Sequence, residues 1–197
     1  MILSRDFYLR DDVILIAKEL LGKVIVSKTG GKLTSGIIVE TEAYQGPEDK
    51  ASHAYGNRMT QRTKTMFKLG GTAYIYLNYG IHSLFNVVTN REGIPHAVLI
   101  RAIEPLDGLE IMMQRRKMNK PNYNLSNGPG KLTQALGITT KLNGIDLCDD
   151  KSPVTIEDRN IFFPDFHAGP RVGIDYAGEY KYKPWRFRAA ESKWTGK

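Results

Sequence analysis

One cysteine, Cys148, stands among 197 residues, so the chain cannot form an internal disulfide and suits a reducing compartment. The longest apolar run, Val13 to Ala17, is far short of the roughly 20 residues that a membrane helix needs. The N-terminus also lacks the apolar stretch of a secretion signal. No membrane partner is expected, and the location expected is the cytosol, on the nucleoid of a bacterium or in the nucleus of a eukaryote. The four histidines, His53, His82, His96 and His167, are widely spaced and match no ligand pattern, so no metal is expected. Gly70-Gly71 and Gly128-Pro129-Gly130-Lys131 lack the spacing of a phosphate-binding loop, so no nucleotide cofactor is expected either. With only two tryptophans, the chain is poorly equipped to stack on sugars.

Positive charge is what the chain has in excess. There are 28 basic against 21 acidic residues, a net charge of +7 and a pI near 9.4. That balance favours a polyanionic partner such as nucleic acid, although a solvated basic face would give the same count. Hydrophobic residues make up 41%, enough for a core, and no composition break, linker or internal repeat divides residues 1–197. One domain is expected.

Local patterns give a coarse map. Val13, Ile16, Leu20 and Leu21 fall on one helical face between Asp12 and Leu21, and Gly22 suits the left-handed residue that ends a helix. Lys23–Ser27 and Leu33–Glu42 read as strands around the paired glycines of Lys28–Lys32. Gly46-Pro47-Glu48-Asp49 looks like a helix start, with proline at the first position and two acids near the positive dipole end. Further strands fit Thr72–Leu77, Leu84–Thr89, Ala97–Ile103, Val154–Glu157 and Arg171–Ile174. A helix after Glu104-Pro105, with Leu106, Leu109 and Met113 inward, should run to about Lys117, and a short one should span Lys131–Leu136 before Gly137. The stretch from Lys120 to Pro129 reads as a loop. Strands and helices mix without regular βαβ alternation, which predicts an α+β domain: a mainly antiparallel, curved β-sheet flanked by helices.

The chemistry concentrates between Val39 and Asn86. Side chains two apart on a strand share a face, so Glu40, Glu42 and Tyr44 bring two carboxylates and a phenol together. Like charges about 7 Å apart disfavour joint ionisation, and such a carboxylate can serve as a base toward water. A solvent-facing strand edge with its acids paired to Arg or Lys is the bland alternative. Tyr74 and Tyr76 share a face in the next tyrosine-rich strand, and Tyr79 before Gly80 falls at a turn. Sheet packing explains such tyrosines equally well, yet a ring at a hairpin tip is placed to enter a base stack. Tyr44 and Tyr76 could sandwich a base.

The ordered set Ile38–Tyr44, Gly46–His53, Arg62, Met66-Phe67, Tyr74–Tyr76, Tyr79-Gly80, Asn86, Leu99–Leu106 and Gly128–Leu132 closely resembles the alkyladenine (3-methyladenine) DNA glycosylase family, over about Leu3 to Phe187. The resemblance implies a monofunctional base-excision-repair enzyme that flips a damaged purine out of double-stranded DNA and hydrolyses its N-glycosidic bond. It implies Glu42 as general base and Arg101 as a contact near the water. Tyr44, His53 and Tyr76 become the base pocket, Asn86 the group rejecting the 2-amino substituent of guanine, and Tyr79 the wedge. Arg62 and Met66 match positions facing DNA. The chain departs from the family at Asn78, where an aliphatic residue is usual, and at Ser83-Leu84, which replace a common Tyr-Cys pair. Two rivals stand beside this reading: a binding module without catalysis, and a glycoside hydrolase using Glu40 and Glu42. A protein clasping duplex DNA along one face is most simply a monomer.

Overall fold

The computed structural model describes residues 1–196. A one-turn helix α1 (Arg5–Tyr8) precedes α2 (Val13–Glu19), which starts where the Asp12 carboxylate accepts the Leu15 N–H at 2.9 Å. Removing such a cap costs about 0.5–2 kcal/mol. Val13, Ile16, Ala17 and Leu20 of this segment are buried against the sheet, as the 3.6-residue spacing predicts. Gly22 follows at φ +85°, and a Cβ there would lie 2.4 Å from the Ile161 carbonyl oxygen, so both conformation and space demand glycine.

The chain then runs through β1 (Val24–Ser27), β2 (Thr34–Gln45), β3 (Ala73–Asn78), β4 (His82–Thr89) and β5 (His96–Asp107). Helices α3 (Leu109–Arg116) and α4 (Pro129–Leu136) follow, and β6 (Val154–Glu157), β7 (Phe166–Gly169) and β8 (Arg186–Ala189) complete the sheet. Its order is β3-β4-β5-β2-β1-β6, every pairing is antiparallel, and β8 pairs with both β2 and β7. The fold is α+β, as expected, with a curled antiparallel sheet.

Curvature comes from β2. Its first half pairs with β1 through Thr34–Ile37, and Glu40–Glu42 pair instead with β8, while β5 runs along its other edge throughout. Register shifts between Ile38 and Glu40 and between Glu40 and Thr41 leave Val39 and Arg101 without ladder partners. Bulges of this kind bend a strand and re-aim its side chains. Glu40 thus lies between two register shifts of an interior strand, with Glu42 two residues further on.

Five local readings need correction. Gly46–Asp49 starts no helix: Asp49 is fully buried and its carboxylate accepts the N–H groups of Gln45 and Ala51, a side-chain contact that competes with helix formation. Strand β5 continues through Pro105 to Asp107, because Glu104, Pro105 and Asp107 pair with Ile37, Gly36 and Ser35 across a further bulge. The helix therefore starts later, after Gly108 at φ +74°, where a Cβ would lie 2.4 Å from the Leu33 carbonyl oxygen. Its buried residue is Met112, with Met113 packed at the core's edge, whereas Leu106 and Leu109 are 44% and 37% exposed. Arg171–Ile174 is irregular rather than extended, and the strands near it in sequence are β7 and β8, which pair with each other.

Candidate active site

A cavity of about 390 Å³ opens between the β3–β4 hairpin, the bend of β2 and the loop following Arg171. Tyr44, His53, Tyr76, Asn86, Met66 and Arg101 line it, as do Tyr74, Leu84 and Val172, and Tyr79 stands at its rim. Seven of the nine candidate residues thus meet at one place. Glu42 and Arg62 lie just outside the lining, each in contact with residues that form it.

Glu42 is fully buried directly behind the wall made by Tyr44, Arg101 and Val172. The Tyr44 hydroxyl donates to its Oε2 at 2.8 Å, the Val172 N–H donates to Oε1 at 2.8 Å, and Arg101 Nη1 lies 3.3 Å from Oε1. A carboxylate has about four lone-pair sites, so one remains for a further donor. Arg101, the bulged residue of β5, also donates from Nε to Glu40 Oε1 at 2.8 Å. Like-charge repulsion between the two carboxylates is therefore answered by a guanidinium lying between them. Burial works against the charge on Arg101, but Glu42 and Glu40 outweigh it and raise its pKa above the ordinary value.

Glu40 is tied differently. Its Oε1 also accepts from Arg186 Nε at 2.7 Å, and its Oε2 accepts the Gly196 N–H. It is held by two guanidiniums. That arrangement disfavours the two-carboxylate glycosidase reading, which needs a carboxyl free to protonate a leaving group.

The aromatic wall is built from β3. Tyr74 and Tyr76 stack with ring centroids 5.4 Å apart, and His53 meets Tyr76 edge-on at 4.6 Å. His53 Nδ1 lies 3.0 Å from the Tyr74 hydroxyl, and Arg62 Nη2 lies 3.4 Å from its Nε2. A guanidinium can only donate, so Nε2 accepts and Nδ1–H donates to Tyr74. Burial, and then the nearby Arg62 charge, lower the His53 pKa to about 4, which keeps the ring neutral at pH 7. Burial pushes the Tyr74 phenol up to about 12 and raises those of Tyr76 and Tyr44 as well. Arg62 itself stacks over Tyr76, 4.9 Å from the ring centroid.

Asn86 is buried across from Tyr74, and its Nδ2 donates to the Tyr74 carbonyl at 3.1 Å. Tyr79 is 89% exposed at φ +50°, followed by Gly80 at φ +73°, and the Ile81 N–H closes the turn on the Asn78 carbonyl at 3.1 Å. Successive positive φ values characterise tight hairpin turns and leave the ring projecting into solvent. Among the described residues no cluster of His, Cys, Asp and Glu could hold a metal ion.

The methylpurine-DNA glycosylase family model matches residues 6–193. The chain belongs to this family. A Chlamydia abortus protein carrying the name 3-methyladenine DNA glycosylase is 54% identical over 186 residues, covering 94% of this chain and 96% of its own. Namesakes from Desulfitobacterium hafniense and Clostridium novyi are 48% and 45% identical, covering 98% and 99% of this chain and 97% and 98% of their own. As a methylpurine-DNA glycosylase family member, the chain is a DNA-repair hydrolase whose substrate is DNA.

Sequence reasoning missed Val172, Arg171 and Asp49, which the structure gathers around Glu42 and Ala43. Asp49 reads locally as a cap, and nothing in Arg171-Val172 marks a partner 130 residues away in Glu42. Asp49 and Arg171 are marked only by their burial, and Val172 only by its N–H contact to Glu42, and both signals exist only in three dimensions.

Proposed function

We propose that this protein excises alkylated or deaminated purines, namely 3-methyladenine, 7-methylguanine, hypoxanthine and ethenoadenine, from double-stranded DNA, acting as a monomer. The observation that carries the reading is the Glu42 carboxylate, buried beside Arg101 directly behind the wall of a tyrosine-lined cavity. The damaged nucleotide leaves the helix and its base slides against Tyr44, Tyr76 and His53 while Tyr79 fills the gap in the stack. Glu42 orients one water and takes its proton; the hydroxyl oxygen bonds to the sugar carbon, and the electrons of the N-glycosidic bond leave with the base. Its negative charge also steadies the cationic sugar as that bond lengthens.

A cationic leaving group such as 3-methyladenine needs no added proton. Neutral hypoxanthine and ethenoadenine need a donor or a bound water at the base. Weak pairing of damaged bases lowers the flipping cost, typically a few kcal/mol, and stacking on tyrosine favours electron-poor rings. Asn86 then excludes a 2-amino group by shape.

The test is base release from duplexes carrying one hypoxanthine or one alkylated purine, run beside free nucleoside and oligosaccharide. Release from duplex alone is expected. Tight binding without release would favour a binding module, and hydrolysis of free sugars would favour a glycosidase.

A further inference from the structure

Behind Tyr44 lies a charged pair that does not line the cavity. Asp49 and Arg171 are both fully buried, and Arg171 Nη1 and Nη2 donate to the two oxygens of Asp49, the latter at 2.8 Å. Nη1 also donates to the Ala43 carbonyl at 2.8 Å, on the strand residue between Glu42 and Tyr44. The guanidinium lies over two rings, 4.6 Å from the Tyr44 centroid and 5.0 Å from that of Trp185. Of the three guanidinium nitrogens, only Nε lacks an acceptor among the described residues. Replacing such a pair by packed apolar groups is often neutral or stabilising, so stability alone is a weak reason to keep it.

What the pair holds is informative. Arg171 is followed at once by Val172, whose N–H reaches Glu42 Oε1 at 2.8 Å in a loop with no strand or helix to fix it. We infer that the Asp49–Arg171 pair is a positioning device for the reaction: it pins the 171–172 backbone to β2 so that the Val172 N–H orients and stabilises the ionised Glu42 carboxylate. The inference rests on Glu42 acting as the base. Asp49 fixes the guanidinium from one side, Tyr44 and Trp185 fix its plane, and Ala43 sets its height along β2. A carboxylate freed from that N–H keeps only Tyr44 and Arg101 to set its plane, and misplacement of about 1 Å can cost 10²-fold in rate.

The groups facing Glu42 are Arg101 of β5, Tyr44 and Glu40 of its own strand, Tyr76 of β3 and Arg186 of β8. None of them is altered by the test. Arg171→Gln should lower single-turnover base release by about 10- to 100-fold with lesion-duplex affinity retained. The acidic limb of its pH–rate profile should move to higher pH, because an ionised Glu42 has lost a donor. Arg171→Lys, which keeps a cation beside Asp49, should recover part of both. A purely structural role would lower the amount of folded enzyme without moving that limb.

Val172→Pro serves as the second variant: it removes the donated N–H, leaves Asp49 and Arg171 in place, and should reproduce both changes. In a Glu42→Gln background neither substitution should slow release further. Wild-type rates and pH profile in folded Arg171→Gln or in Val172→Pro overturn the inference, as does a full additional loss in the Glu42→Gln background. Normal turnover by Glu42→Gln alone would instead remove the base assignment itself.

Discussion

The Tyr44 hydroxyl donates to Glu42 Oε2 at 2.8 Å from two residues along the same strand, so one ring both lines the cavity and orients the carboxylate behind it. Tyr44→Phe separates the two roles, keeping the ring and deleting the hydrogen bond. Leaving a buried carboxylate oxygen unpaired should cost about 1–3 kcal/mol in urea unfolding. Single-turnover base release should fall roughly tenfold, equivalent to about 1.4 kcal/mol in the barrier. Lesion-duplex affinity should hold; a rate equal to wild type would show that the phenol does not orient Glu42.

His53 makes stability depend on pH. Its folded pKa, about 4, lies below the ordinary value of 6.5, so protonation is disfavoured in the native state relative to the unfolded chain. The stability it contributes is fully present above pH 6.5 and is lost as the pH falls from 6.5 through about 4. His96 is lowered by burial in the same direction and adds to the trend. His53→Gln should flatten the wild-type decline across that window, as measured by thermal unfolding at a series of pH values. Identical slopes for the two proteins would contradict the neutral, buried ring.

Asn86 should control purine choice. Asn86→Ser or Asn86→Ala should raise release of guanine-type bases relative to adenine-type bases. Loss of its bond to the Tyr74 carbonyl should also cost about 0.5–1.5 kcal/mol in stability. Unchanged purine selectivity in a competition assay would remove the steric role.

Tyr79 differs in being almost fully exposed. Tyr79→Ser should leave stability within about 0.5 kcal/mol of wild type. Binding to lesion duplex should weaken more than binding to undamaged duplex of the same length and salt. Equal weakening on both would argue against a wedge.

Parts of this site can be read along the chain, and parts cannot. Glu42 and Tyr44 share a face because alternation along a strand is local, and α2 follows directly from the spacing of Val13, Ile16 and Leu20. Asp49 illustrates the limit: proline followed by two acids reads as a helix start, but its partner Arg171 lies 122 residues on. Pro105 misleads in the same way, since it looks like a strand end until Gly36 of β2 is seen pairing with it across a bulge. Arg101 acquires its place between Glu40 and Glu42 only because a second register shift leaves it unpaired. Strand β8 has just four residues, and its alternation is visible only once Phe187 and Ala189 are found buried against β2 and β7.

The proposed reaction depends on Glu42, and single-turnover base release by Glu42→Gln from a lesion duplex, measured beside that variant's DNA affinity, tests that dependence most directly. Release should drop by roughly 10² or more while affinity is retained, as loss of a general base requires. Release at the wild-type rate would contradict it.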